Sequence, residues 1–148
     1  MCGIAGILRF DDQRSSDKDV HHLLDYVRHR GPDGEQIRVV GPCAFGHTRL
    51  SIIDLEGGLQ PMQAAATGSC GTLTVVFNGE IYNHRELRDQ LEKFGHQFKT
   101  DHSDTEVLLF AYRQWGPQFT KRLRGMFSFA LWDDGKKKLL LARDRIGQ

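Results

Sequence analysis

The 148-residue sequence predicts an α+β fold with largely antiparallel sheets and helices on their outer faces. Three observations carry this. The order runs strands, then helices, then strands. The regular β-α-β alternation that builds a parallel sheet is missing. The last two strand segments are joined at Asp134-Gly135, which reads as the tight turn of an antiparallel hairpin.

Each element follows from local pattern. Ile4 to Phe10 is a short apolar run suited to a buried strand. Val20, Leu23, Leu24 and Val27 recur at helical spacing and predict a helix from Lys18 to Arg28. Arg30-Gly31-Pro32-Asp33-Gly34 breaks it with strong turn chemistry. Ile37 to Val40 and Ala44 to Ile53 read as strands around a Gly41-Pro42 turn, and Glu56 to Ser69, rich in Gly, Ala, Gln and Thr, reads as loop. Leu73 to Phe77 is a β run that stops at Asn78-Gly79, a pair that tolerates positive φ and exposes backbone N–H groups. Asn83 and Glu86 predict a capping box for a helix that lines one face with Leu87, Leu91 and Phe94 and ends at Gly95. Ser103 and Glu106 predict a second box for a helix carrying Val107, Leu108, Ala111 and Trp115, which stops at Gly116-Pro117. A short helical piece over Phe119 to Leu123 precedes the closing strands, Met126 to Trp132 and Leu139 to Ala142. The last seven residues, Ala142 to Gln148, run from a strand into a charged loop, so the chain reads as a piece of something longer.

Composition narrows the function classes. A content of 39% hydrophobic and 26% charged residues is that of an ordinary globular domain. The 20 basic and 19 acidic residues leave a net charge of +1, which gives no electrostatic case for nucleic acid or an anionic membrane. Lys136-Lys137-Lys138 is the one basic run and reads as a solvated turn flank. The three cysteines, Cys2, Cys43 and Cys70, are odd in number and widely spaced, so reduced thiols in the cytoplasm are expected rather than disulfides or a zinc knuckle. Asp11 and Asp12 come too early for a signal peptide, and no apolar run is long enough to cross a bilayer. The seven histidines are scattered without ligand spacing, and no metal site is expected.

The N-terminus carries chemistry. In Met1-Cys2-Gly3-Ile4, removal of one methionine leaves a thiol and a free α-amine on the same residue. An ordinary α-amine titrates at about 7.7–8.0 and can accept the thiol's proton near neutral pH. Nucleophile and base would then come from one residue. Taken alone, a cysteine in second place is usually an accident of sequence.

The surrounding motifs change that balance. Cys2-Gly-Ile-Ala-Gly, Arg30-Gly-Pro-Asp-Gly34, His47-Thr-Arg-Leu-Ser-Ile52, Phe77-Asn-Gly-Glu-Ile-Tyr-Asn83, Ser103-Asp-Thr-Glu106, Gly125-Met-Phe-Ser-Phe-Ala130 and Ala142-Arg-Asp-Arg145 occur in this order over essentially the whole chain. The set resembles the N-terminal glutaminase domain of asparagine synthetases and related class II glutamine amidotransferases. The resemblance implies a four-layer αββα fold of the N-terminal-nucleophile (Ntn) hydrolase type, with two largely antiparallel sheets. It implies Cys2 as the nucleophile toward the side-chain amide of L-glutamine, with Asn78 and Gly79 as donors to the oxyanion. It places the glutamine α-carboxylate on Arg49 and the α-ammonium on Asp104, with Leu50, Ser51, Ile52, Ile53 and Glu80 completing the pocket.

Other readings of the same residues stay open here. Asn78-Gly79 also suits a plain strand-ending turn, and Asp104 also suits the first turn of a helix on dipole grounds alone. Arg30 to Gly34 has no assignable chemistry and reads as shaping a loop near the site. The resemblance assigns residues 1–148 to the glutaminase domain. The sequence contains no pyrophosphate-binding loop, so a C-terminal ATP-dependent synthetase domain, with its ATP and Mg²⁺, would lie beyond Gln148. No cofactor is expected in the domain itself. The partners implied are glutamine and that synthetase domain, with a homodimer among the allowed assemblies. The ammonia acceptor is open between aspartate and a sugar, peptide or cell-wall precursor, and a non-catalytic remnant is the rival of another class.

Overall fold

A computed structural model describes residues 2–11, 13–50, 58–67 and 71–147. In chain order the elements are β1 (Gly3–Leu8), α1 (Asp17–Asp25), β2 (Gly34–Val40), β3 (Cys43–Arg49), β4 (Met62–Ala64), β5 (Leu73–Ile81), α2 (His84–Lys93), α3 (Asp104–Trp115), β6 (Gly125–Asp133) and β7 (Lys138–Arg143). Short 3₁₀ segments cover Arg28–Arg30 and Gly116–Arg122. Two antiparallel sheets form, one ordered β1-β3-β2 and the other β4-β5-β6-β7.

Three apolar clusters stack these elements into four layers. Val20 and Leu24 of α1 pack on Ala44 of β3, joined by Ala5, Ile7, Ile37 and Val39, and this seals the outer face of the first sheet. Cys43, Phe45, Val76 and Trp132 meet between the sheets, with Ile4 against them. Leu87, Leu91 and the apolar face of α3 cover the outer face of the second sheet through Val75, Phe77, Phe129 and Leu131. The alternation along each strand drives this: 43 and 45 of β3 face inward and 44 faces α1, as a period of two requires.

Several boundaries differ from the sequence reading, each for a physical reason. α1 stops at Asp25, not Arg28, because the Tyr26 and Val27 N–H groups bond carbonyls three residues back and tighten the turn into the 3₁₀ segment. The Glu56 to Ser69 stretch is not all loop, since Met62–Ala64 adds a strand opposite Leu73–Val75. β5 does not stop at Asn78-Gly79 but runs on to Ile81, paired with Gly125–Ser128 of β6. Asn83 sits at the start of α2 without capping it; its side chain accepts from Arg124 N–H and donates to the Arg122 carbonyl. Ser103 does accept the Glu106 N–H at 3.4 Å, but the Glu106 carboxylate turns to the Lys99 and Thr100 N–H groups. The β6–β7 connection is a four-residue turn over 134–137, with Lys137 at φ 51°, rather than a tight two-residue turn.

Candidate active site

Cys2 emerges at the end of β1. The β1–β3 register pairs Gly3 with Thr48, so its continuation sets Cys2 opposite Arg49. Cys2 is half-buried, with Sγ against the Leu50 backbone: the Leu50 N–H donates to Sγ at 3.5 Å, and Sγ lies 4.0 Å from the Leu50 carbonyl. Gly3 N–H donates to Thr48 Oγ1 at 3.1 Å, and a Cβ at Gly3 would stand 2.5 Å from that same oxygen. The glycine after the cysteine is therefore required by close packing.

The Arg30–Gly34 motif buttresses this end. Arg30 Nε donates to the Cys2 carbonyl at 3.1 Å. A Cβ on Gly31 would stand 2.3 Å from the Thr48 carbonyl carbon, so the loop lies directly on β3. Asp33 N–H then donates to the Arg49 carbonyl at 2.9 Å. The motif grips both Cys2 and Arg49 through backbone atoms, a role that its turn-like composition does not reveal. Thr48, which anchors Gly3, is likewise invisible in the sequence as a site residue.

Asn78 and Gly79 lie on β5 at the same end of the molecule. Asn78 shares with Val76 the strand face turned to β1 and β3. The direction is fixed by two links across the sheets. Arg38 donates to Gln63, which donates to Thr74, and further along the strands His47, Arg49 and Gln60 line one cavity of about 230 Å³. Moving from Thr74 toward Asn78 thus runs toward Arg49 and Cys2. Gly79 is exposed, with φ 138°, and a Cβ there would stand 2.1 Å from the Met126 carbonyl oxygen. Only glycine allows that backbone turn inside a paired strand. Asn78 Oδ1 is buried without a partner among the described residues.

Asp104 opens α3 beside this strand end. Its Oδ2 accepts the Ile81 N–H at 3.1 Å, and His84 Nδ1 lies 2.8 Å from the Ile81 carbonyl. Burial pushes the Asp104 carboxyl upward, opposed by the Ile81 N–H and by the nearby His84. Glu80 is exposed at the same strand end. Ser51, Ile52 and Ile53 lie outside the described residues.

The other described cysteine is chemically distinct. Cys43 is fully buried between the sheets, and burial pushes its thiol up to about 12. That leaves Cys2 as the accessible thiol among the described residues. Among the same residues no group of His, Cys, Asp and Glu is placed to hold a metal ion, and no helix is long and apolar enough to cross a membrane.

His47 is a buried group next to Arg49. It is 3% exposed, its Nε2 has no partner among the described residues, and burial, aided by the Arg49 charge, pulls it down to about 4. An unfolded histidine protonates near 6.5. The unfolded state therefore binds this proton first, and the stability that neutral His47 permits is lost as pH falls from about 6.5 toward 4. Denaturant titrations across that window should show the protein weakening on acidification. The slope should flatten in His47→Leu; an equal slope in both proteins would contradict this origin.

The fold is the four-layer αββα arrangement of the Ntn-hydrolase glutamine amidotransferases. A solved glutamine phosphoribosylpyrophosphate amidotransferase from B. subtilis, complexed with ADP and GMP, superposes with a TM-score of 0.77 at 22% identity, covering 97% of this chain and 37% of that one. The glutamine amidotransferase domain family matches residues 1–148, and the chain belongs to that family. Asparagine synthetase [glutamine-hydrolyzing] 3 of Bacillus subtilis is 42% identical over 148 residues, which is 99% of this chain and 24% of that protein. A probable asparagine synthetase [glutamine-hydrolyzing] of Schizosaccharomyces pombe is 40% identical over 99% of this chain and 26% of its own length. The chain thus spans about a quarter of the length of the curated relatives it matches.

Proposed function

We propose that this chain hydrolyses L-glutamine to L-glutamate and ammonia through a thioester on Cys2, and supplies the ammonia to an asparagine-synthetase-type amidation. What carries the reading is the convergence at one end of the sheet pair of the accessible Cys2 thiol and Arg49, from β1 and β3, with Asn78, Gly79 and Asp104, from β5 and α3.

The Cys2 sulfur attacks the side-chain amide carbon, and its proton passes by way of the Cys2 α-amine to the leaving nitrogen. Charge collects on the former carbonyl oxygen, where the Asn78 side-chain amide and the Gly79 N–H act as neutral donors. The C–N bond breaks and ammonia leaves. Water then attacks the γ-glutamyl thioester, releasing glutamate and restoring the thiol. The Arg49 fork holds the substrate α-carboxylate and Asp104 its α-ammonium. Leu50, Ser51, Ile52, Ile53 and Glu80 close the pocket. ATP and Mg²⁺ belong to a synthetase domain outside residues 1–148, in line with relatives about four times as long. The setting proposed is the cytoplasm, where the thiol stays reduced.

Two substitutions test the substrate assignment. Asp104→Asn keeps size and hydrogen bonding but deletes the charge opposite the α-ammonium. Hydrolysis of glutamine should fall steeply, while that of the analogue lacking the amine should fall far less, because that analogue already leaves the carboxylate unpaired. Equal losses would reduce Asp104 to a helix N-terminal residue. Arg49→Lys replaces a planar fork with a point charge, so KM for glutamine should rise, in line with about 2–5 kcal/mol for disrupting a buried charge pair. An unchanged KM would remove Arg49 from the carboxylate site.

A further inference from the structure

We infer that Gln60 is a positioning residue that sets the spacing between Asn78 and Asp104, and through it the length of substrate the site accepts; this rests on the glutaminase reading above. Gln60 is 7% exposed. Its Oε1 accepts the Phe77 N–H at 2.6 Å, and its Nε2 donates to Thr105 Oγ1 at 3.3 Å. Each partner is the chain neighbour of a proposed site residue, Phe77 of Asn78 and Thr105 of Asp104. One planar amide thus joins the β5 backbone to the first turn of α3.

The strand register explains why a side chain is needed there. β4 pairs Met62 with Val75, and the same register carried on sets Gln60 opposite Phe77. β4 begins at Met62, so the backbone ladder to β5 goes no further than the Met62–Val75 pair. The Gln60 side-chain carbonyl takes up the Phe77 N–H that the ladder leaves over. Phe77 and Thr105 are each 3% exposed, so water cannot replace either bond.

The consequence concerns substrate geometry. In the glutaminase reading Asn78 and Gly79 hold the amide oxygen at one end of glutamine, and Asp104 holds the α-ammonium at the other. Besides the apolar packing of α3 on β5, a direct hydrogen bond from Ile81 N–H to Asp104 Oδ2 links these elements, and it draws on the very carboxylate that the substrate engages. The Gln60 bridge does not touch that carboxylate and holds whether or not substrate is bound. Loosening it lets the two grips drift apart, and misplacement of about 1 Å is enough to cost about a hundredfold in rate.

The test uses the complete polypeptide that carries this domain, with wild type, Thr105→Val and Gln60→Leu compared. Thr105→Val keeps shape but removes the bridge to α3 alone. Its KM for glutamine should rise about fivefold or more while kcat stays within about twofold, since only the Asp104 grip is disturbed. Gln60→Leu breaks both bonds, and kcat/KM should fall by about a hundredfold. Alkylation of Cys2 by iodoacetamide, which needs neither grip, should keep its wild-type rate in both. Unchanged glutamine kinetics in Thr105→Val, or an alkylation rate that falls in parallel, would overturn the inference, and Thr105→Val decides alone if Gln60→Leu gives no folded protein. A wild type that does not hydrolyse glutamine would defeat the glutaminase reading itself, and the inference with it. An active wild type with indifferent variants would defeat the inference only.

Discussion

Cys2→Ala is expected to abolish glutamine hydrolysis and leave the fold in place. The thiol touches the Leu50 backbone and contributes to none of the three core clusters, while β1 is held by its own ladder to β3 from Gly3 to Leu8. Little stability is therefore lost. Among the described residues no other thiol can replace the lost sulfur, because Cys43 is sealed between the sheets with its thiol pushed up to about 12. Removal of a covalent nucleophile costs on the order of 10⁶ in kcat in hydrolases of this logic. Glutamate release should fall below detection, with circular dichroism and melting unchanged. In a complete polypeptide with a synthetase half, amidation driven by added ammonium should survive.

Asn78→Ala is expected to cost about 10²–10³ in kcat, or about 2.7–4 kcal/mol of barrier, with KM for glutamine nearly unchanged. The asymmetry follows from timing. An oxyanion donor strengthens its bond only when charge reaches the oxygen, so its loss is felt in the transition state and not in binding. The stability cost should be small, since Asn78 Oδ1 is a buried acceptor with no partner among the described residues, and deleting it removes a penalty. A raised KM with intact kcat would make Asn78 a ground-state contact and would leave the oxyanion to other donors.

The layers of this fold were legible because the hydrophobic period was. Val20 and Leu24 at helical spacing, and the Leu73–Phe77 run, mark surfaces that the structure buries. Boundaries set by tertiary partners were not legible. Asn78-Gly79 has the composition of a turn, yet β6 pairs across it and carries β5 on to Ile81. Asn83 has the composition of a cap, yet Arg122 and Arg124 claim its side chain. Met62–Ala64 is too short to show a period and becomes a strand only because β5 offers an edge. Within the candidate site, residue types that carry unusual chemistry stood out: an N-terminal thiol, an arginine and an aspartate in motifs. The supports did not. Arg30, Thr48 and Gln60 act through backbone atoms of residues that are 28, 45 and 17 positions away, and no local pattern encodes such partners.

The sulfur and α-amine of Cys2 should act together on a glutamine-shaped substrate. Treating the protein with 6-diazo-5-oxo-L-norleucine, a glutamine-shaped electrophile, and reading intact mass followed by peptide mapping, tests this pairing. One adduct is expected, on Cys2, in molecules that lack Met1, with glutaminase activity lost in proportion and glutamine protecting against both. An adduct on Cys43 or Cys70 in its place, or full glutaminase activity in molecules shown by mass to retain Met1, would contradict it.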